Sequence, residues 1–285
     1  MDVTLRPATQ GDAPECGRIM YEAFKSIADR HNFPPDCPSA EFASAFLAEL
    51  IAHPRVCGVV AEADRKVIGS VFVDERAPVF AIGPIAVDPS AQDGGVGRRL
   101  MEDVLGRARG QNAPGVRLLQ SAYNNRSLCL YTSLGFKTRE PISLMQGAPP
   151  GVSFAGRKVR AAELVDLPAC NALCRDIHGF ERAWELRDAL GKSTATVVEH
   201  VGEISGYATL IGFGGHSVAR TNQDLMALIA AAPAFPGPGF LLPTRNHEVF
   251  AWCLTKGLRL VTQMTLMSIG LYNEPEGAYM PSIGF

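Results

Sequence analysis

The chain has 285 residues, of which 47% are hydrophobic and 20% charged, with a formal net charge of −2. That apolar content supports a well-buried core and argues against disorder. The near-neutral balance, with no basic block, argues against nucleic acid or an anionic membrane as the main partner. Seven scattered cysteines with no Cys-x-x-Cys pair make a metal site or a disulfide framework unexpected, and free thiols point to the cytoplasm. Cys170 and Cys174, four apart on an expected helix, read as small core residues. The opening stretch MDVTLRPATQGDAPEC has no apolar signal core. The longest apolar stretch, residues 225–242, is broken by Pro233, Pro236 and Pro238 and is not expected to span a membrane.

In chain order, a short strand is expected over residues 3–6, then a helix after Asp12 with Pro14 in its first turn. That helix ends near the HNFPP turn, and a second follows Ser39. VCGVVAEA, KVIGSVFV and VFAIGPIAV read as three strands, the first two joined by the tight turn Asp64-Arg65. A glycine-rich loop, PSAQDGGVGRRLM, leads into a helix with one apolar stripe of Val96, Leu100, Met101, Val104 and Leu105. GVRLLQSA is a strand, NRSLCLYTSL a helix, and GFKTREPISLM the final strands. The order β-α-α-β-β-β-α-β-α-β-β is a mixed α/β domain, an α+β mixed sheet.

The chain also repeats itself. LRPATQGDAPEC returns as VRAAELVDLPAC, matching Arg6 to Arg160, Asp12 to Asp166 and Cys16 to Cys170 at a constant spacing of 154. NNRSLCLYTSLGF returns as NHEVFAWCLTKGL, matching Asn124 to Asn246 and Gly135 to Gly257 at a spacing of 122. The expected organisation is a unit over residues 1–147, a Gly/Pro-rich linker over 148–156, and a second, shorter unit over 157–285.

The helix after the glycine loop directs its free backbone N–H groups into the loop, where an anion can bind. Gly94, Gly95 and Gly97 let a phosphate approach, and Arg98 and Arg99 add positive charge. The NTPase and dinucleotide glycine patterns both fit poorly. The run Gln92-x-x-Gly95-x-Gly97, set between a strand and a helix, resembles the pyrophosphate motif of the GNAT superfamily of N-acetyltransferases. The preceding GPIAV, the segment from Asn124 to Tyr131, the Leu-Gly-Phe that follows and the element order fit the same family over nearly all of residues 1–147. Asp93 departs from it, standing where the family often has glycine.

The resemblance implies a fold of two tandem GNAT-like domains and acetyl-CoA as co-substrate, with no metal. The cofactor would wedge between strands splaying apart over residues 81–88 and 116–121, a reading that Gly83-Pro84 supports because proline cannot donate to a sheet ladder. It implies cofactor contacts from Ile85, Ala86, Val87, Gln92, Asp93, Gly94, Gly95, Val96, Gly97, Arg98, Arg99, Asn124 and Ser127. Tyr131 would be the acid that protonates the leaving thiolate; a buried packing tyrosine is the structural alternative, as a helix N-cap is for Asn124. Glu75 is a candidate base, with Glu22 and His31 as others. In the second unit, Arg220 and Asn222 stand where the first has Gly95 and Gly97, and Cys253 stands where it has Tyr131, so that unit looks degenerate. The expected activity is acetyl transfer to a primary amine of a small molecule or peptide, by a monomer or homodimer. The alternatives are a non-catalytic acyl-CoA sensor and a scaffold. Residues 31–43, HNFPPDCPSAEFA, are expected over the acceptor side. Tyr272, Tyr279, Met280, Ile283 and Phe285 suggest that the tail packs, covering the acceptor cleft or, as the favoured reading, closing a sheet edge.

Overall fold

A computed structural model describes residues 2–284; Phe285 lies outside the described residues. The first half runs β1 (Thr4–Pro7), α1 (Ala13–Arg30), α2 (Ala40–Ala52), β2 (Val56–Ala63), β3 (Lys66–Asp74), β4 (Phe80–Val87), α3 (Val96–Gly110), β5 (Gly115–Ser121), α4 (Asn125–Ser133) and β6 (Lys137–Gln146). Local chemistry sets these limits. Pro14 sits in the first turn of α1, and the Ser39 hydroxyl caps α2 by accepting from the Phe42 N–H. Asp64 and Arg65 both take positive φ in the β2–β3 hairpin, as a two-residue primed turn requires.

The second half repeats the plan: β7 (Arg157–Ala161), α5 (Leu167–His178), α6 (Ala183–Gly191), β8 (Thr196–His200), β9 (Glu203–Ala208), β10 (Ser217–Ala219), α7 (Asn222–Ala231), β11 (Phe240–Pro243), α8 (His247–Thr255), β12 (Arg259–Gly270) and a tail strand, β13 (Ala278–Met280). The two copies keep the same contacts. Arg6 grips Asp12 at 2.8 Å and Glu62 at 3.0 Å; Arg160 grips Asp166 and Glu199, each at 2.7 Å. Asn124 caps α4 and Asn246 caps α8.

The chain departs from the sequence reading after α4. GFKTREPISLM gives one strand, not two. Its expected partner is supplied by the other half: the first sheet has the order β1-β2-β3-β4-β5-β12-β6-β11. Each half therefore lends its last long strand across the molecule, β12 lying between β5 and β6. Alternation of apolar residues cannot tell a partner in the same copy from one in the other, because the pleat is satisfied either way. The second sheet has the order β13-β10-β9-β8-β7, so the tail adds a strand beside β10.

A core on one face of the first sheet joins α3 and α4 to β4 and β5 and includes Met267 of β12. A second core, under α1 and α2, joins Ile19, Leu47, Val60, Phe72 and Ala86. No helix of the described residues is long and apolar enough to cross a membrane.

Helices α1 and α2 meet at Gly17, where an added Cβ would run into the backbone nitrogen and the hydroxyl of Ser44. Gly17→Ala gains about 1 kcal/mol of helix propensity but overpacks a backbone contact, which costs about 1–3 kcal/mol. Backbone cannot yield as a side-chain tip can, so net destabilisation is expected. A denaturant melt should show a lower midpoint at unchanged slope; a higher midpoint would contradict this packing.

Candidate active site

The site forms where two neighbouring strands stop pairing. β4 runs parallel to β5 and pairs with it only at Phe80↔Val116 and Ala81↔Arg117. On its other side, the register with β3 shifts between Val71↔Ile85 and Val73↔Ile82, so Gly83-Pro84 carries an extra residue as a bulge. Beyond Ala81, β4 has no strand partner on its β5 side among the described residues. β5 is held to Ser121 by β12 on its far edge. The result is the wedge expected between residues 81–88 and 116–121.

The glycine loop lies at the open end of this wedge. Gly95 is the N-cap of α3 with φ +79 and no side-chain cap, and nothing lies within 4 Å of the position of an added Cβ. A left-handed, uncapped start suits glycine and leaves the first-turn N–H groups available to an anion. A Cβ on Gly97 would lie 3.6 Å from Leu130 and 3.7 Å from Val87, which places the start of α3 between α4 and the end of β4. The residues present therefore fit a pyrophosphate. Arg98 donates to the Ser133 hydroxyl at 2.7 Å, and Arg99 is exposed.

Asp93 has a structural explanation. It takes φ +69 and pairs at 2.6 Å with Arg126 on α4, which also donates to Gln92 at 3.1 Å. The Gln92 amide in turn donates to the Val87 carbonyl at 3.1 Å. Arg126, which the sequence reading missed, thus offsets the Asp93 charge and ties the loop to α4. Both partners are exposed, so the pair orients the loop more than it stabilises the fold.

Helix α4 carries Tyr131. The Asn124 side chain accepts from the Ser127 N–H at 3.2 Å and starts the helix. Gly135, at φ +97, ends it: the Phe136 N–H reaches the Tyr131 carbonyl at 3.0 Å and the Gly135 N–H reaches that of Thr132 at 3.0 Å. This closure folds the Phe136 ring back to 5.9 Å from the Tyr131 ring. Tyr131 is 6% exposed, within the core that also holds Val96 and Ile82. Burial pushes its phenol up to about 12, against a smaller downward pull from its hydrogen bond with Ser127. It therefore keeps its proton throughout the neutral range.

The carboxylates separate. Glu75 is not brought to this site: it pairs with Arg107 and accepts from Gln111 at 3.1 Å. Arg107 lies eleven residues beyond Val96 on α3, about 16 Å along the axis at 1.5 Å per residue. Glu22 pairs with Arg18 at 2.5 Å. His31 and Phe33 lie over the end of β5, their rings 5.3 Å and 4.6 Å from that of Tyr123. Asp36, in the same loop, is half-buried, and desolvation pushes its carboxyl up to about 6. It was legible only as one acid in a segment expected over the acceptor side.

In the second half the corresponding wedge is filled. β13 pairs with β10 and packs beside β11, so the tail occupies the place between them. The Asn222 side chain is engaged by Glu248 and Asn246. A cavity of about 370 Å³ remains, lined by Arg220, Arg245 and Tyr279 among others. Gly257 closes α8 as Gly135 closes α4, with Cys253 in place of Tyr131.

The sequence profile of the Acetyltransferase (GNAT) family matches residues 21–136. The N-alpha-acetyltransferase RimI of Mycobacterium tuberculosis is 33% identical over 140 residues, which is 47% of this chain and 78% of that protein. The mycothiol acetyltransferase of Thermomonospora curvata is 39% identical over 95 residues, 32% of this chain and 31% of the relative, so the match spans under a third of that protein's length. Among solved structures, a tandem GNAT protein from the clavulanic acid biosynthesis pathway shares the fold at 14% identity and a TM-score of 0.57, covering 94% of this chain and 98% of that one. The GCN5-related N-acetyltransferase of Sphaerobacter thermophilus does so at 16% identity and a TM-score of 0.62, covering 95% and 96%. The chain belongs to the GNAT acetyltransferase family, in its tandem form.

Proposed function

We propose that residues 1–147 are the working unit of an N-acetyltransferase that moves the acetyl group of acetyl-CoA directly to a primary amine of a small molecule or peptide. Residues 148–156 join it to a degenerate unit, 157–285, that supports it. The observation that carries this reading is the wedge past Ala81, opening onto the uncapped start of α3 at one end and flanked by Tyr131. The seven free cysteines support a cytoplasmic setting.

In this reading the N–H groups of Val96, Gly97 and Arg98 hold the pyrophosphate, with Gln92, Asp93, Gly94, Gly95 and Arg99 shaping and charging the loop. Asn124 and Ser127 lie beside the pantetheine arm. Bound there, acetyl-CoA supplies an activated thioester. The β4 backbone at Ile85, Ala86 and Val87, freed from a β5 ladder, offers N–H groups to the developing oxyanion. Tyr131 donates its proton to the departing sulfur. Its raised pKa has a definite consequence: the acid form is present from low pH up to about 12, so no loss of the acid is expected within the usual assay range.

Tyr131→Phe removes the proton donor but keeps the ring and the packing on Phe136. Turnover should fall about 100-fold or more while the acetyl-CoA Kd from calorimetry stays the same. Unchanged turnover would sink the acid assignment, whereas wild-type protein that binds acetyl-CoA but acetylates no amine would favour an acyl-CoA-binding module over an enzyme. Calorimetry on the whole chain should find one equivalent of acetyl-CoA, because β13 fills the second wedge; two equivalents would contradict the degenerate reading.

A further inference from the structure

An acceptor amine arrives at neutral pH as an ammonium and must lose a proton before it attacks. None of the glycine loop, the wedge or Tyr131 can take that proton. On the face of the sheet opposite Tyr131, the α1–α2 loop carries a carboxylate, Asp36, near the end of β5.

Three contacts locate Asp36. The next residue, Cys37, is buried in the core under α1 and α2 that contains Ala86 of β4. Phe33 stacks at 4.6 Å on Tyr123, which follows the end of β5. The Asp36 charge itself acts on the Tyr123 phenol, helping to raise its pKa. The loop over residues 31–38 thus bridges the two strands that diverge, and it does so on the α1/α2 face. Tyr131 belongs to the core on the α3/α4 face, with Ile82 and the flanking Ile85 and Val87. An amine entering beside Asp36 and a thiolate leaving toward Tyr131 would lie on opposite sides of the same gap.

We propose that Asp36 is the acceptor-side base, taking the ammonium proton of a primary amine that enters along the Phe33–Tyr123 stack. This rests on the acetyl-transfer reading above. The balance is simple. Asp36 carboxylate takes one proton from R–NH₃⁺, leaving R–NH₂, whose lone pair forms the new C–N bond. As the C–S bond breaks, nitrogen loses its second proton to solvent and Tyr131 protonates sulfur. Tyr131 regains its proton from solvent, and Asp36 releases its own.

The surroundings fit the role. Among the described residues no hydrogen bond or ion pair reaches the Asp36 carboxylate, and burial alone accounts for its carboxyl being pushed up to about 6. The titratable groups nearby are Tyr123 from the β5–α4 turn, His31 from the end of α1, and Cys37 beside it. Glu75, by contrast, is held by Arg107. Sign follows from direction: raised above its ordinary value, Asp36 is a competent base only above about pH 6 and is lost as a base below it.

The test uses the full chain, acetyl-CoA, and benzylamine or a hexapeptide with a free N-terminus as the acceptor probe. Wild-type CoA release should rise with pH through a midpoint near 6. Asp36→Asn should lose that rise and about 100-fold in kcat at unchanged acetyl-CoA Kd, with Asp36→Glu restoring part of it. Carboxyl ¹³C NMR of wild type against Asp36→Asn should show one carboxyl titrating near 6, a readout that needs no turnover. A midpoint near the ordinary value of about 4, or an Asp36→Asn protein that keeps the wild-type profile, would overturn the proposal alone. Failure of wild type to bind acetyl-CoA would overturn the acetyl-transfer reading and this proposal together.

Discussion

The β5–β12 ladder is the constraint on which the site depends. It runs without interruption from Met264↔Ser121 to Gly270↔Gly115 along the whole of β5. A strand with a free far edge could slide toward β4 and close the gap by forming new hydrogen bonds. β5 is pinned, because moving toward β4 would pull it out of its ladder with β12. On the other side of the gap, Pro84 has no N–H to offer and Gly83-Pro84 bulges away from regular pairing. The wedge therefore stays open without a ligand. Its rigid wall comes from the half of the chain that lacks the glycine loop. The second half also supplies Met267 to the core that buries Tyr131.

A buried polar junction fixes how the halves meet. Arg117, on β5 at the last pair before the wedge opens, lies 4.8 Å over the Phe180 ring. Around it, Arg182 pairs with Glu185, Glu185 lies 3.2 Å from His216, and His216 lies 2.9 Å from the Tyr207 hydroxyl. Burial, and then Arg182 nearby, push the Arg117 guanidinium well below its usual pKa. Arg76 extends the junction through Asp74 and, at 2.8 Å, Asp188. Buried charges cost several kcal/mol each when they lose their partners. Two of these contacts cross between the halves, Arg117 over Phe180 and Arg76 with Asp188; a shift of one half against the other would separate them, so they favour one docking geometry. The apex of the wedge is part of that geometry.

Much of this was legible in the sequence because local signals carry it. Pro14, Ser39, Asp64-Arg65, Asn124 and Gly135 act within a few residues of themselves, and each element they delimit was expected within a residue or two. The glycine loop was legible for the same reason, since its strand, caps and helix are contiguous. The exchange of β6 and β12 was not. A strand's pattern states which face is buried, and both copies bury the same face, so the sequence holds no local signal for whose strand sits beside β5. The role of Asp93 was hidden likewise: its partner, Arg126, lies on another element 33 residues away. Glu75 misled because a carboxylate at a strand end near the cofactor strand looks available until Arg107, from the far end of α3, is seen to claim it.

Comparing the two copies separates what the fold needs from what a ligand needs. Contacts that serve the fold persist in both: the arginine–aspartate grip at the first strand, the asparagine cap, and the glycine closure after α4 and α8. Features that would face a ligand differ. Gly95 and Gly97 give way to Arg220 and Asn222, Tyr131 to Cys253, and the open wedge to β13. Drift alone would not sort the positions this way, because Asn124 and Asn246 are as exposed to mutation as Gly95 and Arg220. The caps persist because losing one costs about 1 kcal/mol whether or not a ligand binds. The cradle glycines make no side-chain contact, and Gly97, inside α3, costs about 1 kcal/mol of helix propensity relative to alanine where no anion uses the space. The first half keeps the costly glycines, the uncapped helix and the buried phenol together, and one ligand at that wedge accounts for all three.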